Sequence, residues 1–230
     1  VVEGDTVLRR FAPTALQRRL GMLGLATIAW VLNFVALARL GTWAPFAITG
    51  TALVVAALVF GAVPSTQLRP SLGTVGVGLL AGVLMVVLTH GAYTVLALLV
   101  PEVRTATSRL RDLVNVGGFS PGARAGLIAV IATSEEVLFR GALPRPHAAR
   151  RGHPRLGVAR TDMAQIVIFA AVYALATVAL GSLLLVLCAF VCAIVWGILY
   201  LASGSLVAPI LAHILWDLGV LLVWPLATGA

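Results

Sequence analysis

Long apolar blocks restrict this chain more than any other feature. Val75–Val100 and Met163–Ala202 run without a formal charge, interrupted mainly by Gly, Pro and isolated polar residues. Crossing the hydrocarbon of a bilayer takes about 20 apolar residues. Hydrophobic residues make up 60% of the 230 and charged residues 10%, so a soluble fold of this size would lack the polar groups to cover its surface. The sequence therefore reads as all-α, a polytopic transmembrane helix bundle of about seven spans. Their expected extents are 20–38, 44–63, 74–100, 125–143, 162–180, 182–202 and 206–224. The connections are too short to hold a separate soluble core.

The net charge of +8 comes from 16 basic residues, all of them Arg. They flank apolar segments rather than forming a soluble patch, so they read as topology signals and lipid-headgroup contacts, with no nucleic-acid partner. Arg-only usage beside abundant Ala, Val, Leu and Gly reads as a bacterial composition. With seven crossings, the N-terminal tail, Arg69 and the Pro144–Asp162 loop share one side and carry ten arginines. Arg39, Arg104, Arg109, Arg111 and Arg124 give five on the other. The positive-inside bias puts the N-terminus and the 144–162 loop in the cytoplasm, in a cell inner (plasma) membrane. The stretch ending at Ala36-Leu37-Ala38 has the outline of a signal peptide, but its length and the span that follows favour a retained membrane segment. Between Pro101 and Arg124, Val103, Leu110, Leu113 and Val114 recur at near-helical spacing among charges. That pattern predicts a short amphipathic helix at the outer interface.

Ionisable residues inside spans are costly and mark functional sites. Those present are His90, Glu135, Glu136, Arg140, His213 and Asp217, and five of the six form two clusters. Glu136 and Arg140 are four apart and share a helix face. Glu135 is turned about 100° away and has no intrahelical cation. His213 and Asp217 are also four apart, so the carboxylate can orient the imidazole or compete with it for a water or metal. Glu135 and His213 each sit roughly 10–12 Å from the 144–162 end of their spans. Equal depth on opposed helices predicts one site, open to the cytoplasm. Cys188 and Cys192, one turn apart, read as packing residues, because that spacing suits a disulfide poorly. His147 and His153 read as solvated loop residues; Trp43, Trp216 and Trp224 read as anchors or packing residues.

Glu135-Glu136-Val137-Leu138-Phe139-Arg140-Gly141, followed by Gly204–His213 and Asp217, resembles the CAAX-protease and bacteriocin-processing (CPBP, or Abi) family of intramembrane proteases, which includes the type II CAAX prenyl endopeptidases. Its E-E-x-x-x-R motif is matched by Glu135, Glu136 and Arg140, and its final His with Asn or Asp four later by His213 and Asp217. The middle F-x-x-x-H motif reads Phe169-Ala170-Ala171-Val172-Tyr173, with Tyr in place of His. The resemblance covers residues 122–225 as a protease core, preceded by membrane helices and an outer interfacial segment (1–121) and followed by a tail (226–230). It implies an intramembrane endopeptidase acting on membrane-associated or lipidated peptides. Glu135 would be the general base, Glu136 and Arg140 an orienting pair, and His213 with Asp217 the oxyanion or metal side. Zinc or another divalent ion, where bound, would be held by Glu135 and His213. Tyr173 is a poor zinc ligand, but its phenol can donate to an oxyanion. Two rivals stand beside this reading. A silent relative that binds and shields a membrane partner is favoured by Tyr173, and a transporter would use the buried Glu and His as a proton relay.

Overall fold

The computed structural model describes residues 14–115, 117–143 and 160–226. Arg9, Arg10, the loop residues Arg145, His147, Arg150, Arg151, His153 and Arg155, and the side chains of Leu113, Val114 and Arg160 lie outside them. The helices are α1 (Ala15–Leu40), α2 (Ala44–Val59), α3 (Leu72–Leu99), α4 (Glu102–Val114), α5 (Pro121–Glu135), α6 (Arg160–Ala176), α7 (Leu183–Ser203) and α8 (Val207–Leu218). Helical turns extend α5 over Glu136–Arg140, α6 over Thr177–Leu180 and α8 over Gly219–Val223. No strand occurs among the described residues.

Each of the seven expected spans falls on a helix. Four of these helices, Ala15–Leu40, Leu72–Leu99, Asp162–Leu180 and Leu183–Ser203, are long and apolar enough to cross a membrane; Ala44–Val59 and Val207–Val223 are shorter apolar helices. Local sequence sets the ends. Thr14 and Gln17 form a capping box on α1, and Ser71 and Thr74 form one on α3. Ser120 caps α5 just ahead of Pro121. Gly41 and Gly204, both at positive φ, close α1 and α7. The predicted amphipathic helix is α4, with Thr107 buried, Val103 and Leu110 half-buried, and Arg104 and Arg109 exposed.

Helix α8 is held by close backbone approach to α3. A Cβ on Gly78 would lie 2.7 Å from the Ala208 carbonyl oxygen, and one on Gly82 2.7 Å from Leu215 Cβ. Gly78 and Gly82 form a small-xxx-small seam, the device by which helices pack tightly where lipid gives no hydrophobic drive. The opposite face of α3 is apolar and exposed, with Leu80 and Leu98 each 71% accessible. That contrast fits a helix that presents one face to the bundle and one to lipid. Besides α3, α8 packs on α5 and α7; α6 packs on α7, α1 and α2 lie behind α5 and α6, and one hydrophobic cluster runs from Met22 to Ala212. The wall of the site is thus built from both the first hundred residues and the last.

Candidate active site

The last turn of α5 widens into a π-turn over Glu136–Arg140, closed by the Gly141 N–H donating to the Glu136 carbonyl at 3.2 Å. A Cβ at 141 would collide with the Val137 carbonyl oxygen, so glycine alone fits there. Such π-turns recur at functional sites. The five residues of this turn are all buried, as is Glu135 ahead of it.

The two carboxylates have different partners. Glu136, fully buried, has its Oε1 3.2 Å from Arg140 Nη1 and 2.8 Å from His213 Nδ1. A carboxylate only accepts, so Nδ1 carries a proton and the ring is fixed with Nε2 facing the other way. Glu135 accepts from Trp30 Nε1 at Oε1 and from the Tyr173 hydroxyl at Oε2, both at 2.6 Å. His213 Nε2 lies 3.6 Å from Glu135 Oε2 and 3.5 Å from Asp217 Oδ2. Trp196 stacks on the imidazole with ring centres 3.6 Å apart. The Arg140 guanidinium sits 4.7 Å from the Tyr173 ring centre and 5.1 Å from that of Trp196, within cation–π range of both. Glu135, Glu136, Arg140, Tyr173, His213 and Asp217 therefore converge on one cluster.

Glu135, Tyr173, His213 and Asp217 face a cavity of about 160 Å³. Its lining follows one direction on every helix: Ile131 and Leu127 back along α5, Thr177 and Leu180 beyond Tyr173, Cys188 and Leu185 back along α7, and Leu221 beyond Asp217. Trp43 and Arg124 lie at the far end. The cavity thus extends from Glu135 toward the Leu180–Leu185 end of these helices. Depth along a helix gives a residue's distance from an end, not the direction in which the space beside it opens. Toward the C-terminal end of α5, Leu138, Phe139 and Leu143 are all at most 2% exposed and belong to the hydrophobic core.

Other residues fall into place around this site. His90 is outside it: its ring bonds the Val86 and Trp224 carbonyls and stacks on Trp224. Cys188 and Cys192 are free thiols, and Cys188 lines the cavity. Trp216 donates to Thr89 Oγ1 while lining the cavity. Trp30 and Trp196 are the site residues that sequence reasoning passed over. Trp30 sits mid-span, whereas tryptophans of membrane helices gather at the interfaces. A buried indole N–H needs an acceptor, and that requirement was the available signal.

A divalent metal would need a ligand set that the site does not supply. Structural and catalytic zinc sites draw at least three ligands at about 2.0–2.3 Å. Among the described residues no group of three or more His, Cys, Asp or Glu is arranged to hold a metal ion. The Glu135 oxygen nearest His213 already accepts the Tyr173 proton. As arranged, Glu135 and His213 do not fit a resident metal.

Residues 120–219 match the sequence model of a family described as Type II CAAX prenyl endopeptidase Rce1-like. No curated protein and no solved structure matches the chain.

Proposed function

We propose, from the match of residues 120–219 to that family, that this chain is an intramembrane endopeptidase whose general base is Glu135. The observation that carries this is Glu135 Oε2 facing His213 Nε2 at 3.6 Å, at the inner end of an apolar cavity. A water on the cavity side, hydrogen-bonded to both atoms, can give a proton to Glu135 as its oxygen attacks the scissile carbonyl. The imidazolium form of His213, steered by Glu136 and Asp217, donates from Nε2 to the developing oxyanion. Glu135 then passes its proton to the leaving amine as the C–N bond breaks. No step runs through a metal.

In this scheme Tyr173 is a positioning residue. Its single proton is committed to Glu135, so it holds the base with Trp30 rather than waiting for an oxyanion. Removing one hydrogen bond to a charged group costs about 1.5–3 kcal/mol. Tyr173→Phe is therefore expected to lower kcat by about ten- to a hundredfold at unchanged KM, measured on a membrane-anchored or lipidated peptide in vesicles with the purified protein. The same hydrogen bond favours the second reading, a silent relative that binds and shields a membrane partner, because both Glu135 oxygens already hold a donor. A parent that cleaves nothing, but gains cleavage with Tyr173→His, would establish that reading in place of the first.

The arginine bias and the direction of the cavity together give an expectation about access. With the 144–162 loop in the cytoplasm, substrate segments reach Glu135 from the opposite leaflet. A reporter fused after Arg150 should then read as cytoplasmic and one at Arg109 as external. The reverse pattern would overturn the orientation and give the cavity a cytoplasmic mouth.

A further inference from the structure

A second pocket, of about 980 Å³, lies between the C-terminal half of α3, one face of α4 and Trp224–Leu226. It shares no lining residue with the cavity at Glu135. Arg104, Ser108 and Arg111 recur at i, i+4 and i+7, so α4 turns a polar face toward it. Two guanidinium groups stand against one carboxylate, Asp112, whose Oδ1 lies 3.9 Å from Arg111 Nε. The formal charge of the lining is therefore positive. Arg104 Nε donates to the Ala97 carbonyl at 3.2 Å, which fixes that guanidinium at the end of α3. The hydroxyls of Thr94 and Ser108 donate to backbone carbonyls, and both His90 nitrogens face carbonyls, so these groups build the wall rather than bind. Two more lining residues, Val87 and Leu98, are 57% and 71% exposed on the apolar outer face of α3. The pocket thus joins a cationic end to an apolar side.

We propose that this pocket binds the phosphate headgroup of an anionic phospholipid, with the phosphate on Arg104 and Arg111 and the acyl chains running past Leu98 toward Val87. Arg recognises phosphate through paired N–H donors, and α4 has the amphipathic character of an interfacial helix. A free phosphate would use the same guanidinium groups but not the apolar side. The ligand also has a consequence for the site at Glu135. Leu110, on another face of α4, lines the catalytic cavity, so a headgroup held at Arg104 and Arg111 steadies the helix that walls it. Binding at Arg104 and Arg111 does not depend on cleavage at Glu135.

The test uses the full chain in vesicles of phosphatidylcholine with a minor fraction of phosphatidylglycerol, followed by native mass spectrometry of lipid retained after detergent extraction. The parent should keep one phosphatidylglycerol per chain in preference to phosphatidylcholine. Each of Arg104→Gln and Arg111→Gln should weaken retention about fivefold, since one basic residue near an anionic lipid surface contributes about 1 kcal/mol. Gln stays polar while removing the charge, and an unchanged unfolding temperature shows that the fold is intact. Arg39→Gln, which removes the same charge elsewhere, should retain lipid like the parent. Equal retention in the double variant Arg104→Gln/Arg111→Gln would overturn the site. Equal loss in Arg39→Gln would reduce it to general surface charge. Displacement of the lipid by inorganic phosphate at matched concentration would overturn the lipid assignment in favour of free phosphate.

Discussion

Replacing Glu135 with Gln is expected to abolish cleavage, by about 10²–10⁴-fold or more in kcat, the range associated with one general base. The substitution keeps the shape of the side chain. Its amide oxygen can still accept from Trp30, which now reaches Oε1 at 2.6 Å, while the hydroxyl of Tyr173 can turn to accept from the new amide. What is lost is the capacity of the second oxygen, 3.6 Å from His213 Nε2, to take a proton from water. The bundle should therefore assemble and unfold at close to the parent temperature. Burial of Glu135 at 6% exposure makes this a sharp test, because a neutral side chain there relieves a buried charge rather than creating one. Parallel measurements of peptide cleavage and thermal unfolding in detergent separate chemistry from folding. Turnover within tenfold of the parent would remove Glu135 from the role of base.

Much of this was legible in the sequence, and the reasons differ by residue. The spans followed from length and composition, because only apolar runs of sufficient length cross a bilayer. The pairing of Glu136 with Arg140 followed from i,i+4 spacing, and the contact at 3.2 Å agrees even though a π-turn replaces the α-helical geometry assumed. That π-turn was not legible. It depends on Gly141 meeting Val137 and Val63, a tertiary packing fact. Placing His213 beside both carboxylates needed two helices more than sixty residues apart to meet, and equal depth predicted the meeting. The partner on Nδ1 was not predictable, since His213 could have turned either nitrogen to Glu136. Trp30 was out of reach for a related reason. No motif links α1 to α5, and only the fold brings an indole to Glu135. The direction of the cavity was not legible, because it belongs to the packing among several helices and no single helix pattern encodes it.

Arg140→Ala is expected to cost about 3–5 kcal/mol of stability, the range for breaking a buried ion pair by removing one partner. Arg140 is 3% exposed and Glu136 is fully buried, so neither charge has water to fall back on. The loss goes beyond the 3.2 Å contact. The guanidinium also lies against the rings of Tyr173 and Trp196, and its removal leaves a space between them. Among the described residues Glu136 would retain only His213 Nδ1 as a partner, so the imidazole would be drawn into neutralising it. Arg140→Lys should restore only part of the loss, because an ammonium cannot stack on two aromatic faces as a planar guanidinium does. The double variant Glu136→Gln/Arg140→Met removes both charges while keeping volume. It should be more stable than Arg140→Ala, since replacing a buried pair together is far less costly than stranding one member. Unfolding temperatures of the three variants in one detergent give the ranking. A loss below about 1 kcal/mol for Arg140→Ala would place the pair in the range of exposed salt bridges and deny it the buried role. If Arg140→Lys holds the fold but loses turnover, the guanidinium serves the site through His213, because a purely structural charge would have been replaced.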